Sequence, residues 1–286
     1  MRWEDGRESE NVDDQRGFPI SGRGASLGCG GLIILLLVSW LTGINPLRLL
    51  NLVQQTAPSS PAAAPAPGQA PGAPPKDELG KFASVVLAST EDVWTDIFAK
   101  NGRTYEKPRL VLFSGGARSA CGMASTAVGP FYCELDRKVY LDLSFFRELS
   151  IRFGAPGEFA DAYVIAHEVG HHVQNLMGIL EERSRGGARR NDNAVSVRVE
   201  LQADCFAGVW GYHANRDRHI IEPGDFESGL RAAAAIGDDR LQRRTQGEVA
   251  PESFTHGTSA ERSGWLRRGL ETGDPGQCDT FRQRLE

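Results

Sequence analysis

The sequence predicts an α+β protein, in which one mostly helical domain with a small β-sheet follows a single transmembrane helix. Three observations support this class. Residues 24–47 contain no charged residue and are rich in leucine. Residues 48–75 are rich in proline and alanine. Beyond them, apolar residues recur every three to four positions over several long segments, with two short runs of β-branched and aromatic residues among these segments.

Composition limits the class of function. The chain has 286 residues, of which 40% are hydrophobic, so one sizeable domain with accessory segments is expected. The net charge is −5, whereas nucleic-acid-binding proteins usually carry a clustered basic surface. The densest basic stretch, residues 183–190, lies beside Glu181, Glu182 and Asp192 and is typical of a solvated loop. We therefore expect no nucleic-acid partner.

The uncharged stretch at residues 24–47 is long enough to cross a hydrocarbon core of about 30 Å as a helix. A cleaved signal peptide is the alternative, but the segment that precedes the stretch is long for the n-region of a signal. Four arginines precede the stretch, while only Arg48 follows it before Lys76, and this asymmetry predicts that residues 1–23 are cytoplasmic. We expect a single-pass membrane protein whose C-terminal domain is extracytoplasmic.

The proline-rich residues cannot bury enough apolar surface to fold, so we interpret residues 48–75 as a linker and expect a domain at residues 76–286. The last predicted helix begins with the capping box Thr258-Ser259-Ala260-Glu261. In chain order, the predicted elements are a helix at 77–100, strands at 109–113 and 138–143, a long helix through 159–177, and helices at 195–215, 225–243 and 258–271.

The segment most informative about chemistry is His167-Glu168-Val169-Gly170-His171, which lies inside the long predicted helix. Residues four apart lie on one helix face, so His167 and His171 can both direct an imidazole nitrogen at a single Zn²⁺. Glu168 points to the side of this pair, where it can reach a water molecule rather than the metal. This is the position that a general base requires.

A third ligand is predicted on the next helix, where Glu200 and Asp204 are also four residues apart. Glu200 can complete a His-His-Glu site with an open fourth position, and Asp204 can accept a hydrogen bond from the non-ligating nitrogen of one histidine. The alternative is that both carboxylates lie on a solvated helix face. The upstream histidines favour the metal site.

The two segments resemble the gluzincin arrangement, in which His-Glu-x-x-His lies on one helix and Glu-x-x-x-Asp on the next. More narrowly, the chain resembles the "putative neutral zinc metallopeptidase" family of bacteria over most of residues 76–286. Further similar segments are Ser119-Ala120-Cys121-Gly122, Gly129-Pro130-Phe131-Tyr132-Cys133, Val139-Tyr140-Leu141-Asp142 and Phe254-Thr255-His256-Gly257-Thr258-Ser259. The resemblance implies a zincin-like fold, one catalytic Zn²⁺ and peptidase activity.

We therefore expect a membrane-anchored zinc endopeptidase that acts on a peptide or protein through a metal-activated water, with Glu168 as the base. The region from Gly122 to Tyr140 is a candidate for pairing with the substrate as a strand, and a structural loop is the alternative. Two other functions remain open. One is hydrolysis of a non-peptide amide such as cell-wall material, and the other is a zinc-binding envelope scaffold without turnover. The sequence does not indicate an oligomeric state.

Three further residues near the predicted site are candidates for supporting roles. His256 precedes the last helix and could donate a hydrogen bond to the oxyanion, or it could be a histidine that only starts that helix. Tyr163 is one turn before His167, and aromatic residues at this spacing more often belong to the core than to a cleft. His172 is rotated by about 100° from His171 around the helix, which favours a supporting or packing role over ligation.

The cysteines do not match a structural zinc site, because they do not form two CxxC pairs. Cys29 lies in the uncharged stretch, and the other four permit three pairings in an oxidising compartment. We favour Cys121 with Cys133 and Cys205 with Cys278, and the alternative is four unpaired thiols.

Overall fold

The computed structural model describes residues 1–16, 74–125, 128–181 and 193–282. The predicted transmembrane helix at 24–47 lies outside these residues, as does nearly all of the predicted linker. Among the residues described, no helix is both long enough and apolar enough to cross a membrane. The described part is a mostly helical domain with a small mixed sheet.

Most predicted helices and strands are confirmed, while four short strands and one short helix were not predicted. The helix expected at 225–243 is two helices, because Gly237 adopts an extended conformation with φ −69° and ψ 144°. Gly237 also packs closely, since an added Cβ would lie 2.4 Å from the backbone nitrogen of Ser259. In chain order the elements are β1 (Val12–Asp14), α1 (Glu78–Lys100), β2 (Arg109–Phe113), β3 (Gly116–Ser119), β4 (Gly122–Ser125), β5 (Phe131–Cys133), β6 (Lys138–Asp142), α2 (Ser144–Ile151), α3 (Glu158–Met177), α4 (Asn193–Arg218), α5 (Asp225–Ala235), α6 (Asp238–Thr245) and α7 (Ser259–Thr272).

The main sheet has the strand order β1-β2-β6-β5. Strands β1, β2 and β6 are parallel to one another, whereas β5 runs antiparallel to β6. Strands β3 and β4 form a separate hairpin. Strand β5 is therefore an edge of the described sheet, and it contacts α3.

Residues 1–16 fold together with the domain, whereas the sequence predicted a domain that begins near Lys76. Strand β1 pairs with β2 in parallel, and the compact unit that contains the helices also contains residues 1–16. The carboxylate of Glu91 on α1 is fully buried and accepts hydrogen bonds from Ser9, Asn11 and Arg7. A buried carboxylate needs such partners, so this N-terminal segment is an integral part of the fold.

Helix α4 packs closely against both α3 and α7. An added Cβ on Gly170 of α3 would lie 3.0 Å from the carbonyl oxygen of Ala203 on α4. An added Cβ on Gly269 of α7 would lie only 2.0 Å from the carbonyl oxygen of Cys205. Glycine at these positions lets the three helix backbones approach closely, and the approach of α4 to α3 brings their polar residues together.

Both predicted disulfides are confirmed. Cys121 pairs with Cys133 at a Cα–Cα distance of 5.7 Å, and Cys205 pairs with Cys278 at 5.6 Å. The first joins the turn between β3 and β4 to the end of the edge strand β5. The second joins α4 to the C-terminal segment that follows α7.

Candidate metal centre

Helix α3 carries the two predicted histidine ligands in its middle. Its apolar residues repeat at helical spacing and pack against α4 and α5. The helix ends at Gly178, whose φ of 82° is the left-handed conformation that glycine adopts without steric cost. His167 and His171 are both shielded from solvent, and their ring centroids are 4.8 Å apart.

Glu200 of α4 lies opposite the two imidazoles. The Nε2 atom of His167 is 3.1 Å from Oε2 of Glu200, and the Nε2 atom of His171 is 3.5 Å from Oε1. One ligand atom from each of the three residues can be chosen so that all lie within 4.8 Å of one another. Ligands at about 2.0–2.1 Å from a tetrahedral Zn²⁺ are separated by about 3.3 Å, so these side chains fit a zinc ion.

Asp204 fixes the orientation of His167. Its Oδ1 atom lies 2.9 Å from Nδ1 of His167 and also accepts a hydrogen bond of 2.6 Å from the hydroxyl of Tyr163. The carboxylate is fully buried and is paired with Arg262 of α7, whose Nε donates to Oδ2 at 2.8 Å. His167 therefore donates its Nδ1–H to Asp204 and leaves Nε2 available for a metal.

Gln174 fixes the orientation of His171, as Asp204 does for His167. Its Oε1 atom lies 2.9 Å from Nδ1 of His171, so it accepts the Nδ1–H and leaves Nε2 directed at Glu200. The amide nitrogen of Gln174 donates to the carbonyl oxygen of Val199 at 2.7 Å and to the side chain of Gln202 at 3.0 Å. The side chain of Gln174 therefore also joins α3 to α4, one residue before the candidate ligand Glu200.

The electrostatics of the site favour the charge pattern that a divalent cation needs. Burial lowers the pKa of His167, but the charges of Asp204 and Glu200 outweigh burial and raise this pKa to about 10. Burial also lowers the pKa of His171, but the charge of Glu200 outweighs burial and raises this pKa. Burial raises the pKa of Glu200, but His171 and His167 hold it well below its ordinary value. The carboxylates thus stabilise positive charge on the two imidazoles before any metal binds.

Glu168 lies beside the ligands and on the wall of a cavity of about 690 Å³. The cavity also contains all three candidate ligands, and Glu168 itself is 7% exposed. The apolar part of the wall includes Phe131, Phe145, Phe153, Val164 and Val199. The site is therefore open to a molecule much larger than water.

Of the other residues singled out from the sequence, His256 and Tyr163 line this cavity, and His172 does not. His256 lines it with its side chain half exposed, and the hydrogen bond with Asp238 raises the pKa of His256. Tyr163 is 1% exposed, and its hydroxyl donates a hydrogen bond to Asp204. His172 is fully buried, and burial lowers its pKa to about 4.

Sequence reasoning missed Arg262, Gln174 and Tyr132. Arg262 gives no local signal, because its partner Asp204 is 58 residues away along the chain. Gln174 follows His171 by three residues on the same helix, and this spacing could have identified it. Tyr132 lies inside the candidate region Gly122–Tyr140, of which β5 and the residues just before it line the cavity.

Comparison with known proteins agrees with this site. The chain matches the "putative neutral zinc metallopeptidase" family over residues 1–281, a range that includes the N-terminal strand. It is 47% identical to the "uncharacterized protein YpfJ" of Escherichia coli K12, over 98% of this chain and 99% of that protein. It is 45% identical to the "uncharacterized protein Rv2575" of Mycobacterium tuberculosis H37Rv, over 68% of this chain and 67% of that protein. No solved structure matches the chain. The chain belongs to the putative neutral zinc metallopeptidase family.

Proposed function

We propose that this protein is a zinc-dependent endopeptidase. The observation that carries the proposal is the convergence of His167, His171 and Glu200, whose ligand atoms lie within 4.8 Å of one another, with Glu168 next to them in an open cavity. Structural zinc sites use four protein ligands, whereas catalytic sites use three and keep a position open. Among the described residues, three side chains form the candidate group.

The chemistry follows from the residues around the cavity. A bound zinc ion would supply Lewis acidity toward a water molecule and toward the carbonyl oxygen of the substrate. Glu168 takes a proton from the attacking water and returns it to the nitrogen of the departing amine. Asp204 and Gln174 hold the two imidazoles in the orientation that leaves their Nε2 atoms free. His256 lies on the cavity wall and would donate a hydrogen bond to the oxygen that gains charge.

Two features of the site favour a peptide substrate. Strand β5 is an edge of the described sheet, and an extended peptide can add to such an edge through main-chain hydrogen bonds. The apolar side chains on the cavity wall can accommodate apolar side chains of that peptide. We therefore propose unfolded or extended segments of proteins as the substrate class.

The proposal is tested with the full chain, loaded with zinc and incubated separately with an unfolded protein and with peptidoglycan fragments. Cleavage of peptide bonds in the unfolded protein, identified by mass spectrometry of the products, is the expected result. Cleavage of the cell-wall amide alone would show a non-peptide hydrolase. A zinc-loaded chain that cleaves neither substrate would support a scaffold without turnover.

Zinc binding is expected to release at least one proton per ion at pH 7. His167, with a pKa of about 10, carries a proton at this pH before zinc binds, and a zinc ligand must lose it. Zinc affinity should therefore increase as the pH rises toward that pKa. Calorimetric titration with zinc in two buffers of different ionisation enthalpy gives the number of protons. In Asp204→Asn, which lacks the charge that raises the pKa of His167, fewer protons should leave. Equal heats in both buffers would contradict this assignment.

We further propose that the catalytic domain is extracytoplasmic, because its two disulfides persist in oxidising compartments. The pairing of β1 with β2 conflicts with the predicted cytoplasmic N-terminus, because two strands cannot pair across a hydrocarbon core of about 30 Å. A folded chain with this pairing has residues 1–16 in the same compartment as the catalytic domain. The N-terminus can be cytoplasmic only in a chain in which β1 does not pair with β2.

Labelling of single cysteines in intact cells distinguishes these arrangements. In a Cys29→Ser background, we would introduce Glu10→Cys in the N-terminal segment or Arg267→Cys on α7, both at exposed positions. We expect a membrane-impermeant thiol reagent to label both variants. Labelling of the Arg267→Cys variant alone would show an N-terminus on the opposite side, and labelling of neither would place the domain in the cytoplasm.

A further inference from the structure

The side chain of Tyr132 joins edge strand β5 to α3, the helix that carries His167 and His171. The hydroxyl of Tyr132 lies 3.0 Å from Nδ1 of His172 and accepts a hydrogen bond of 2.9 Å from Nδ2 of Asn175. His172 immediately follows the candidate ligand His171, and Asn175 is less than one turn further along the same helix. The contact therefore connects the strand to the part of α3 that holds the metal site.

The protons of this network have one consistent arrangement. The Nε2 atom of His172 lies 2.6 Å from the backbone carbonyl oxygen of Glu106, which can only accept, so Nε2 carries the hydrogen. In the neutral imidazole, Nδ1 must then accept, and its donor is the Tyr132 hydroxyl. The hydroxyl still has lone pairs, and one of them accepts from Asn175. Each partner thus has a fixed role, which defines the position of the Tyr132 side chain.

Packing and covalent bonds hold the two sides of this contact. The Tyr132 ring meets the His172 ring edge to face, with centroids 5.4 Å apart, and Tyr105 meets the same imidazole at 5.7 Å. At the next residue, Cys133 is tied to Cys121 by a disulfide, and β5 as a whole pairs with β6. The backbone of β5 is consequently held by the sheet on one side and by α3 through Tyr132.

We propose that Tyr132 is a positioning residue, which together with His172 and Asn175 sets the distance between edge strand β5 and the metal site. This inference rests on the proposed peptidase function. A peptide paired with β5 presents its scissile carbonyl at a place that depends on where the strand lies relative to His167 and His171. If β5 is displaced by about 1 Å, a paired peptide must give up part of its strand pairing to bring its carbonyl to the metal site, so its productive binding weakens; such geometry has to be held within about 0.5 Å.

Tyr132→Phe tests this role, because it removes the hydroxyl and keeps the ring. Two substrates are compared: an extended peptide of about eight residues, which reaches along β5, and a short amide reporter, which does not. We expect kcat/KM for the long peptide to fall by about 10- to 100-fold, with most of the change in KM. For the short reporter, kcat/KM should stay within about twofold of wild type.

The chain offers a matched control in Tyr140→Phe. Tyr140 lies on the neighbouring strand β6, opposite Phe131, and its hydroxyl is also bonded, to Asp136 rather than to α3. This variant should cleave both substrates as the wild type does. Zinc content, measured by atomic absorption, should be one ion per chain in all these proteins.

A binding measurement gives a second readout that does not depend on turnover. In a Glu168→Gln background, calorimetry with the same long peptide should show about tenfold weaker binding when Tyr132→Phe is added, and no change with Tyr140→Phe. Equal loss for long and short substrates, or no loss for either, would overturn the positioning role alone. A wild type that neither cleaves nor binds the long peptide would instead contradict the proposed function, and the positioning role would fall with it.

Discussion

Glu168→Gln is expected to lower kcat for peptide hydrolysis by about 10²–10⁴-fold, the usual contribution of a general base, while the protein still binds one zinc ion per chain. Glutamine has nearly the same size and shape as glutamate but cannot accept a proton at neutral pH. Glu168 lies on the cavity wall beside the three candidate ligands, so the substitution should leave the ligand set intact. Steady-state kinetics on an unfolded protein substrate and zinc analysis of the same samples measure the two effects.

Glu200→Gln is the matched comparison, because it makes the same chemical change on the neighbouring helix. Glu200 lies within 3.5 Å of both imidazoles, so its loss should reduce zinc content and thereby activity. Zinc added in excess should restore part of the activity of Glu200→Gln and none of that of Glu168→Gln. Full turnover by Glu168→Gln with normal zinc content would show that another group is the base.

The parts of the site that could be predicted from sequence depend on spacing within a single helix. His167 and His171 are one turn apart on α3, and Glu200 and Asp204 are one turn apart on α4, so each pair forms a local signal. Helix α3 also has apolar residues at helical spacing and a glycine C-cap, which makes its existence predictable. The sequence gives no local signal that α4 lies next to α3, so this contact had to be assumed. In the structure, the two helices come into close contact at Gly170.

The features that could not be predicted from the sequence depend on contacts between residues that are distant along the chain. Arg262 reaches Asp204 from α7, and Tyr132 reaches His172 from a strand of only three residues. Strand β1 is equally short, and its partner β2 lies about a hundred residues further along the chain, so no local pattern connects them. Such pairings are determined by tertiary packing, to which a single sequence gives little access.

Arg262→Met is expected to destabilise the metal-free protein by about 3–5 kcal/mol, the usual cost of removing one partner from a buried ion pair. Arg262 is 2% exposed, and Asp204 is fully buried. Burial raises the pKa of Asp204, but the charges of Arg262 and His167 keep it below the ordinary value. Without Arg262, part of the balancing positive charge is lost from the interior. For a domain of this size, the melting temperature should fall by about 6–20 °C.

Arg267→Met on the same helix is the control, since Arg267 is exposed and its replacement should change stability by no more than about 0.5 kcal/mol. The double variant Arg262→Met with Asp204→Asn should recover part of the loss, because the uncompensated carboxylate is then neutral. Calorimetric melting of all four proteins in the presence of a chelator measures these differences without a contribution from bound zinc. Equal melting temperatures for Arg262→Met and Arg267→Met would show that the pair with Asp204 does not stabilise the fold, in which case Tyr163 and His167 alone would have to hold this carboxylate in place.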